Sequence, residues 1–116
     1  MEIKIVKDSI SKKELADIAQ EQFGNLVKAV VDINREIMAV GGEMHADEEA
    51  VLMEREDSGR EDIWGINLYP EKDGEEFIEF DSIINIKPSY GNRSRNIEDS
   101  EIREKVKTII NKLIAR

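Results

Sequence analysis

The sequence predicts a single α+β domain over residues 1–116, a mainly antiparallel sheet of four to five strands packed against two or three helices. Three observations predict it. A helix near each end shows capping residues followed by an apolar stripe. Between them lie short segments in which apolar and polar residues alternate, the period of a strand. The length of 116 residues is that of one ordinary domain, and no linker, repeat or low-complexity tract divides it.

Residues 2–6 read as a short strand with Ile3 and Ile5 on one face. Ser11 and Glu14 form a capping box, and Ile10 with Leu15 supplies the hydrophobic staple, so a helix opens there. It carries Leu15, Ile18, Ala19 and Phe23 on one side and stops at Gly24. Segment 26–40 has two readings. Leu26, Val30, Ile33, Ile37 and Val40 keep helical spacing, whereas Val30-Val31 and the polar break at 32–35 suit a hairpin. The hairpin, with strands at 27–33 and 36–42, is the expectation, because Gly41-Gly42 continue a strand into a turn. A helix ending on those glycines is its rival.

Residues 47–55 then read as a short helix capped by Asp47, with Glu48 and Glu49 in its positive first turn. Ala50, Val51, Leu52 and Met53 would face inward, and Asp57-Ser58-Gly59 ends it; a strand is the alternative. Trp64, Ile66 and Leu68 alternate with Gly65, Asn67 and Tyr69, and a turn follows at 70–74. The alternation returns as Ile78, Phe80, Ser82, Ile84 and Ile86, a long strand closed by Pro88. Residues 89–96 form a polar loop. Asp99-Ser100-Glu101 starts a final helix with Ile102, Val106, Ile109, Ile110 and Leu113 as its stripe. Lys105, Lys107, Lys112 and Arg116 gather towards its C-terminal end, where the helix dipole favours cations.

Charge is unevenly placed. The net charge is −9, and residues 43–62 hold nine acids against Arg55 and Arg60, while residues 87–116 hold eight bases against four acids. An acidic chain disfavours nucleic-acid binding, which depends on neutralising phosphates. The split permits a homo-oligomer in which the acidic middle of one copy meets the basic end of another; solvated surface charge is the plainer reading. There are no cysteines, which excludes disulfides and thiolate chemistry. The N-terminus shows no apolar leader and no run approaches membrane-spanning length, so a cytoplasmic protein without membrane contact is expected.

Three segments carry side chains suited to chemistry. The first, Gly41-Gly42-Glu43-Met44-His45-Ala46-Asp47-Glu48-Glu49, contains the only histidine. In an extended backbone Glu43, His45 and Asp47 would share a face. An imidazole beside two carboxylates suits a divalent metal, or a general base oriented by an acid. The competing reading is structural, with Asp47 a cap and His45 filling a turn. The second runs Asp62-Ile63-Trp64-Gly65-Ile66-Asn67. Trp64 belongs to the core, while Asp62 and Asn67 would border a pocket that Gly65 lets a ligand approach. The third, Gly91-Asn92-Arg93-Ser94-Arg95, offers two guanidiniums with amide and hydroxyl donors for a small anionic ligand. Its competing reading pairs Arg93 or Arg95 with the acidic middle segment.

In this order and spacing, the glycine-glycine-glutamate, histidine-alanine-aspartate, tryptophan-glycine and asparagine-arginine-serine pieces resemble a family of small prokaryotic proteins known only as a domain of unknown function. The likeness runs nearly end to end and includes both terminal helices. It implies no activity, substrate or cofactor. The expected function is therefore a ligand-binding or protein-interaction module, self-associating through its acidic face and the Arg93/Arg95 loop. The alternative is a small hydrolase or isomerase with His45 as base, Asp47 or Glu43 as orienter or metal ligand, and Arg93 as anion clamp.

Overall fold

The hairpin reading of segment 26–40 holds. The computed structural model describes residues 2–115; Arg116, counted above with the basic end of the last helix, lies outside them, as does Met1. Strands β3 (Val27–Asp32) and β4 (Ile37–Val40) pair antiparallel, joined by a four-residue turn. Asp32 makes that turn. Its Oδ1 accepts the amides of Asn34 (2.9 Å) and Arg35 (3.0 Å), a local carboxylate cap that competes with helix formation.

These two strands form the centre of a five-stranded antiparallel sheet. Strand β1 (Lys4–Val6) flanks β4; β5 (Ile63–Leu68) flanks β3, and β6 (Ile78–Glu79) flanks β5. Helices α1 (Lys12–Glu21) and α3 (Ser100–Leu113) cover one face, and α2 (His45–Glu56) covers the other. Both faces therefore carry buried apolar residues. Val27, Ala29 and Val31 point into a large core with Leu15, Ala19, Val106, Ile110 and Leu113, while Val30 points into a smaller one with Leu52, Ile63 and Ile84. A period-2 strand buried on both sides needs near-continuous hydrophobicity, which Val30-Val31 and Ile37–Val40 supply.

The terminal helices form as their sequences dictate. The Ser11 hydroxyl accepts the Glu14 amide at 3.0 Å. Glu14 does not complete the box; its carboxylate pairs with Lys4 instead. Gly24, at φ +89°, donates its amide to the Ala19 carbonyl at 2.6 Å and ends α1. Phe23 is not on the buried stripe: it is 42% exposed, with the Lys28 ammonium 5.1 Å from its ring centre. Asp99 caps α3 through the Glu101 amide, at 2.8 Å.

Three expectations are corrected. Helix α2 begins at His45, two residues before Asp47, with Met44 at the cap position and no side-chain cap bond. Of its four supposed inward residues only Leu52 is buried, because the buried stripe is His45, Glu48 and Leu52. The long second hairpin strand ends after Glu79. The Ser82 hydroxyl accepts the Ile84 amide (3.3 Å), which turns the chain and leaves Ile83 68% exposed. Asn85 then does what a strand would have done: its side-chain amide bonds both the N–H and the carbonyl of Gly65, at 2.8 and 2.9 Å. Lastly, β2 (Ile10–Ser11) pairs in parallel with β7 (Ile114–Ala115), a contact with no local signature.

Candidate functional site

The register brings polar residues into a row at one end of the sheet. Lys28 on β3 lies opposite Asn67 on β5, and Asn67 opposite Glu79 on β6. Because side chains alternate, Lys28 shares the face of Val30, and Asn67 that of Ile63 and Gly65; this is the face beneath α2. Across it lies the first turn of α2, whose residues His45 and Glu48 are three apart and so face the sheet together.

The His45 ring is 9% exposed, and its Nε2 lies 2.8 Å from the Ile66 carbonyl oxygen. A carbonyl only accepts, so Nε2 carries the proton and the lone pair of the neutral ring is on Nδ1. Burial lowers the His45 pKa. The Ile66 carbonyl opposes this, the Lys28 charge adds to it, Asp81 opposes and Arg95 adds. The ring is held neutral near physiological pH.

Glu48 is the unusual residue. It is fully buried, and burial pushes its carboxyl well above the usual range, against the Gly42 amide and the Lys28 charge. Its Oε2 accepts the Gly42 amide at 2.9 Å, reaching back over the start of the helix. Gly42 is required there, since a Cβ would lie 2.8 Å from Glu48 Cγ. Four buried side-chain atoms lack a hydrogen-bond partner among the described residues, and two of them, Glu48 Oε1 and Asn67 Oδ1, belong to this site. An unmet buried polar atom costs about 1–3 kcal/mol, so the cluster gives up stability to keep these atoms where they are.

The rest of the row is already bonded. Asn67 Nδ2 donates to Glu79 Oε1 at 2.8 Å, as does the Tyr69 hydroxyl at 2.9 Å. Burial and the Glu79 contact raise the Tyr69 pKa. Arg95 Nε holds Asp81 at 2.6 Å. At the helix end, the Asp47 and Glu48 amides turn back to the Met44 carbonyl, at 3.1 and 3.4 Å. The His45 and Ala46 amides find no acceptor among the described residues. An uncapped N-terminus is a place for an anion, from both its free N–H groups and its dipole.

The sequence-predicted residues divide. His45 and Asn67 are in the site. Glu43 and Asp47 are both exposed, and the helical start at His45 removes the shared face that an extended chain would have given them. Asp62 stands before the opposite end of β5, five residue steps from Asn67 and so roughly 17 Å away. Its pKa is raised by burial and by Glu61 and Asp32. Asn92 is buried as an internal strut: Nδ2 donates to the carbonyls of Asn85, Ser94 and Asn96, and Oδ1 accepts the Glu98 amide. The Arg93 amide and Ser94 serve Glu98, holding its carboxyl below the usual range. Arg95, not Arg93, is the guanidinium whose charge reaches His45, and it pairs with Asp81 rather than with the acidic middle segment. Sequence reasoning missed Lys28 and Asp81, which no motif marks. It placed Glu48 in the first turn of a helix, beside Glu49, as a partner of the helix dipole, whereas the 45–48–52 spacing puts it on the buried stripe with Leu52.

Among the described residues no three His, Asp or Glu side chains are grouped as a metal ion would need, and no helix is long and apolar enough to cross a membrane. The sequence model of a family described as a protein of unknown function (DUF5674) matches residues 4–113. No curated protein and no solved structure matches the chain.

Proposed function

The chain belongs to this family of proteins of unknown function, and from that premise we propose that it is a cytoplasmic binding module for a small anionic ligand, held at the first turn of α2. One observation carries the reading: an uncapped helix start stands beside Lys28 and two fully buried, unmet polar atoms, Glu48 Oε1 and Asn67 Oδ1. The His45 and Ala46 amides and Lys28 supply donors and positive potential for a carboxylate or phosphate oxygen. Glu48, whose carboxyl burial pushes well above the usual range, adds a donor when it holds its proton, and Asn67 Oδ1 takes a hydroxyl or amine of the same ligand. Titrating ¹⁵N-labelled protein with inorganic phosphate and with malonate tests this. Saturable shifts at the His45 and Ala46 amides, weakened in Lys28→Glu, support it; unmoved amides at millimolar ligand sink it.

The enzyme reading rests on a different observation, the His45 tautomer. The Ile66 carbonyl fixes the Nε2 proton and so leaves Nδ1 as a base, with no carboxylate needed to orient the ring. In that reading a hydrolase or isomerase would show turnover of a phosphoester or ester that His45→Asn abolishes while phosphate binding persists. Turnover that survives His45→Asn discards it.

A further inference from the structure

We propose that a groove on the opposite side of the sheet, between α3 and the β3–β4 turn, is a second binding site that takes a small amphipathic amine. The groove has a volume of about 590 Å³, inside the roughly 300–1,000 Å³ that ligand sites usually occupy. Its floor is aliphatic, from Ile33 at the start of the β3–β4 turn and Ile109 on α3. Its rim is acidic. Glu36 stands on the turn side, Glu101 and Glu104 on the helix side, and Lys105 is the one cation among the lining residues. An apolar floor under convergent carboxylates selects a ligand with a hydrocarbon body and a protonated nitrogen.

Two lysines outside the groove compete for that rim. Lys112 pairs with Glu36 at 3.1 Å and Lys107 with Glu104 at 3.3 Å. The Lys112–Glu36 partners are 62% and 52% exposed, and ion pairs that exposed to water contribute little. A ligand whose hydrocarbon body rests on the aliphatic floor adds apolar burial that the two lysines, reaching the same carboxylates from outside, do not have. The turn presents Glu36 at φ +56°, a left-handed conformation that asparagine accepts more readily than glutamate. Glu36→Asn therefore removes the charge while keeping the turn.

The test uses two probes of matched size and opposite charge, phenethylamine and 3-phenylpropionate, titrated into the ¹⁵N-labelled full chain at low salt. The expected result is saturable amine binding with amide shifts centred on Ile33, Glu104 and Ile109. The carboxylate should bind at least tenfold more weakly. Glu36→Asn and Glu104→Gln should each weaken the amine several-fold, and 0.5 M salt should weaken it further, as a charge-selected site requires. Lys28→Glu, which addresses the α2 site, should leave amine binding unchanged. Equal binding of both probes, tighter binding of the carboxylate, shifts elsewhere, or a sedimentation dimer that excludes the amine would each overturn the proposal.

Discussion

The two faces of the sheet are built on different terms. Beneath α1 and α3 the contact is hydrocarbon: Val27, Val31, Met38, Val40, Ile66 and Leu68 meet Leu15, Val106, Ile110 and Leu113, all essentially without solvent exposure. Beneath α2 the apolar cluster is a third of that size, and buried Asp32, Glu48, His45, Asn67 and Asn85 share the same interior. Burying aliphatic surface stabilises at about 25 cal/mol per Å², whereas unmet polar groups cost. The first face makes the fold stable. The second uses part of that stability to hold titratable groups in one place, the usual condition of a functional site.

The largest test of this contrast is on the hydrocarbon face. Ile110→Ala should cost about 2–5 kcal/mol in urea unfolding, as for other fully buried aliphatics, without altering phosphate or amine binding beyond the loss of folded protein. A loss under about 1 kcal/mol would mean that α3 is not the main support.

The next test is beneath α2. Gly42→Ala places a Cβ 2.8 Å from Glu48 Cγ, so it should cost about 1–3 kcal/mol through overpacking. In a Glu48→Ala background, which removes the obstructing atom, most of that cost should vanish. A double-mutant cycle that is additive would show that Gly42 and Glu48 are not in contact.

The smallest effects appear as slopes with pH. Glu48 is raised in the folded state, so its stabilising contribution is complete below 4.5 and is lost as pH rises towards its folded value. His45 is lowered, so its contribution is present above 6.5 and is lost as pH falls. The two slopes oppose each other between them. Relative to the parent, Glu48→Gln should make stability rise more steeply with pH up to about 6.5, and His45→Asn should make it fall more steeply above pH 4.5. Chemical denaturation at intervals from pH 4 to 8 reads both, since a single proton can tilt stability by at most about 1.4 kcal/mol for each step of one in pH. Flat profiles in both variants would place these groups in water.

Much of the hydrocarbon face was legible in the sequence, because its rules are local. Ser11 and Asp99 name their helices, and the apolar stripe of α3 names its buried side. The β3–β4 hairpin was legible through the polar break at 32–35 and Gly41-Gly42, and Asp32 proves to be the residue that satisfies its turn. The α2 face was harder to read because its rules are not local. The strand expected through Ile86 failed when Ser82 and Asn85 used side chains where a ladder would use backbone. The position of Glu48 depends on Gly42, Lys28 and the helix start together. Of the candidate site, the sequence named His45 and Asn67, which the fold brings to the same end of the sheet, named Arg93 and Arg95 together, of which Arg95 is the one whose charge reaches His45, and grouped Glu43 and Asp47 with His45 on an extended backbone that is helical instead.

The short parallel pairing of Ile10 with Ile114 has a temporal consequence. A ribosome makes Ile114 about a hundred residues after Ile10, so during synthesis the lead-in to α1 waits without its neighbour. The seam can close only once the last turn of α3 is present, so this contact ties the start of one terminal helix to the end of the other.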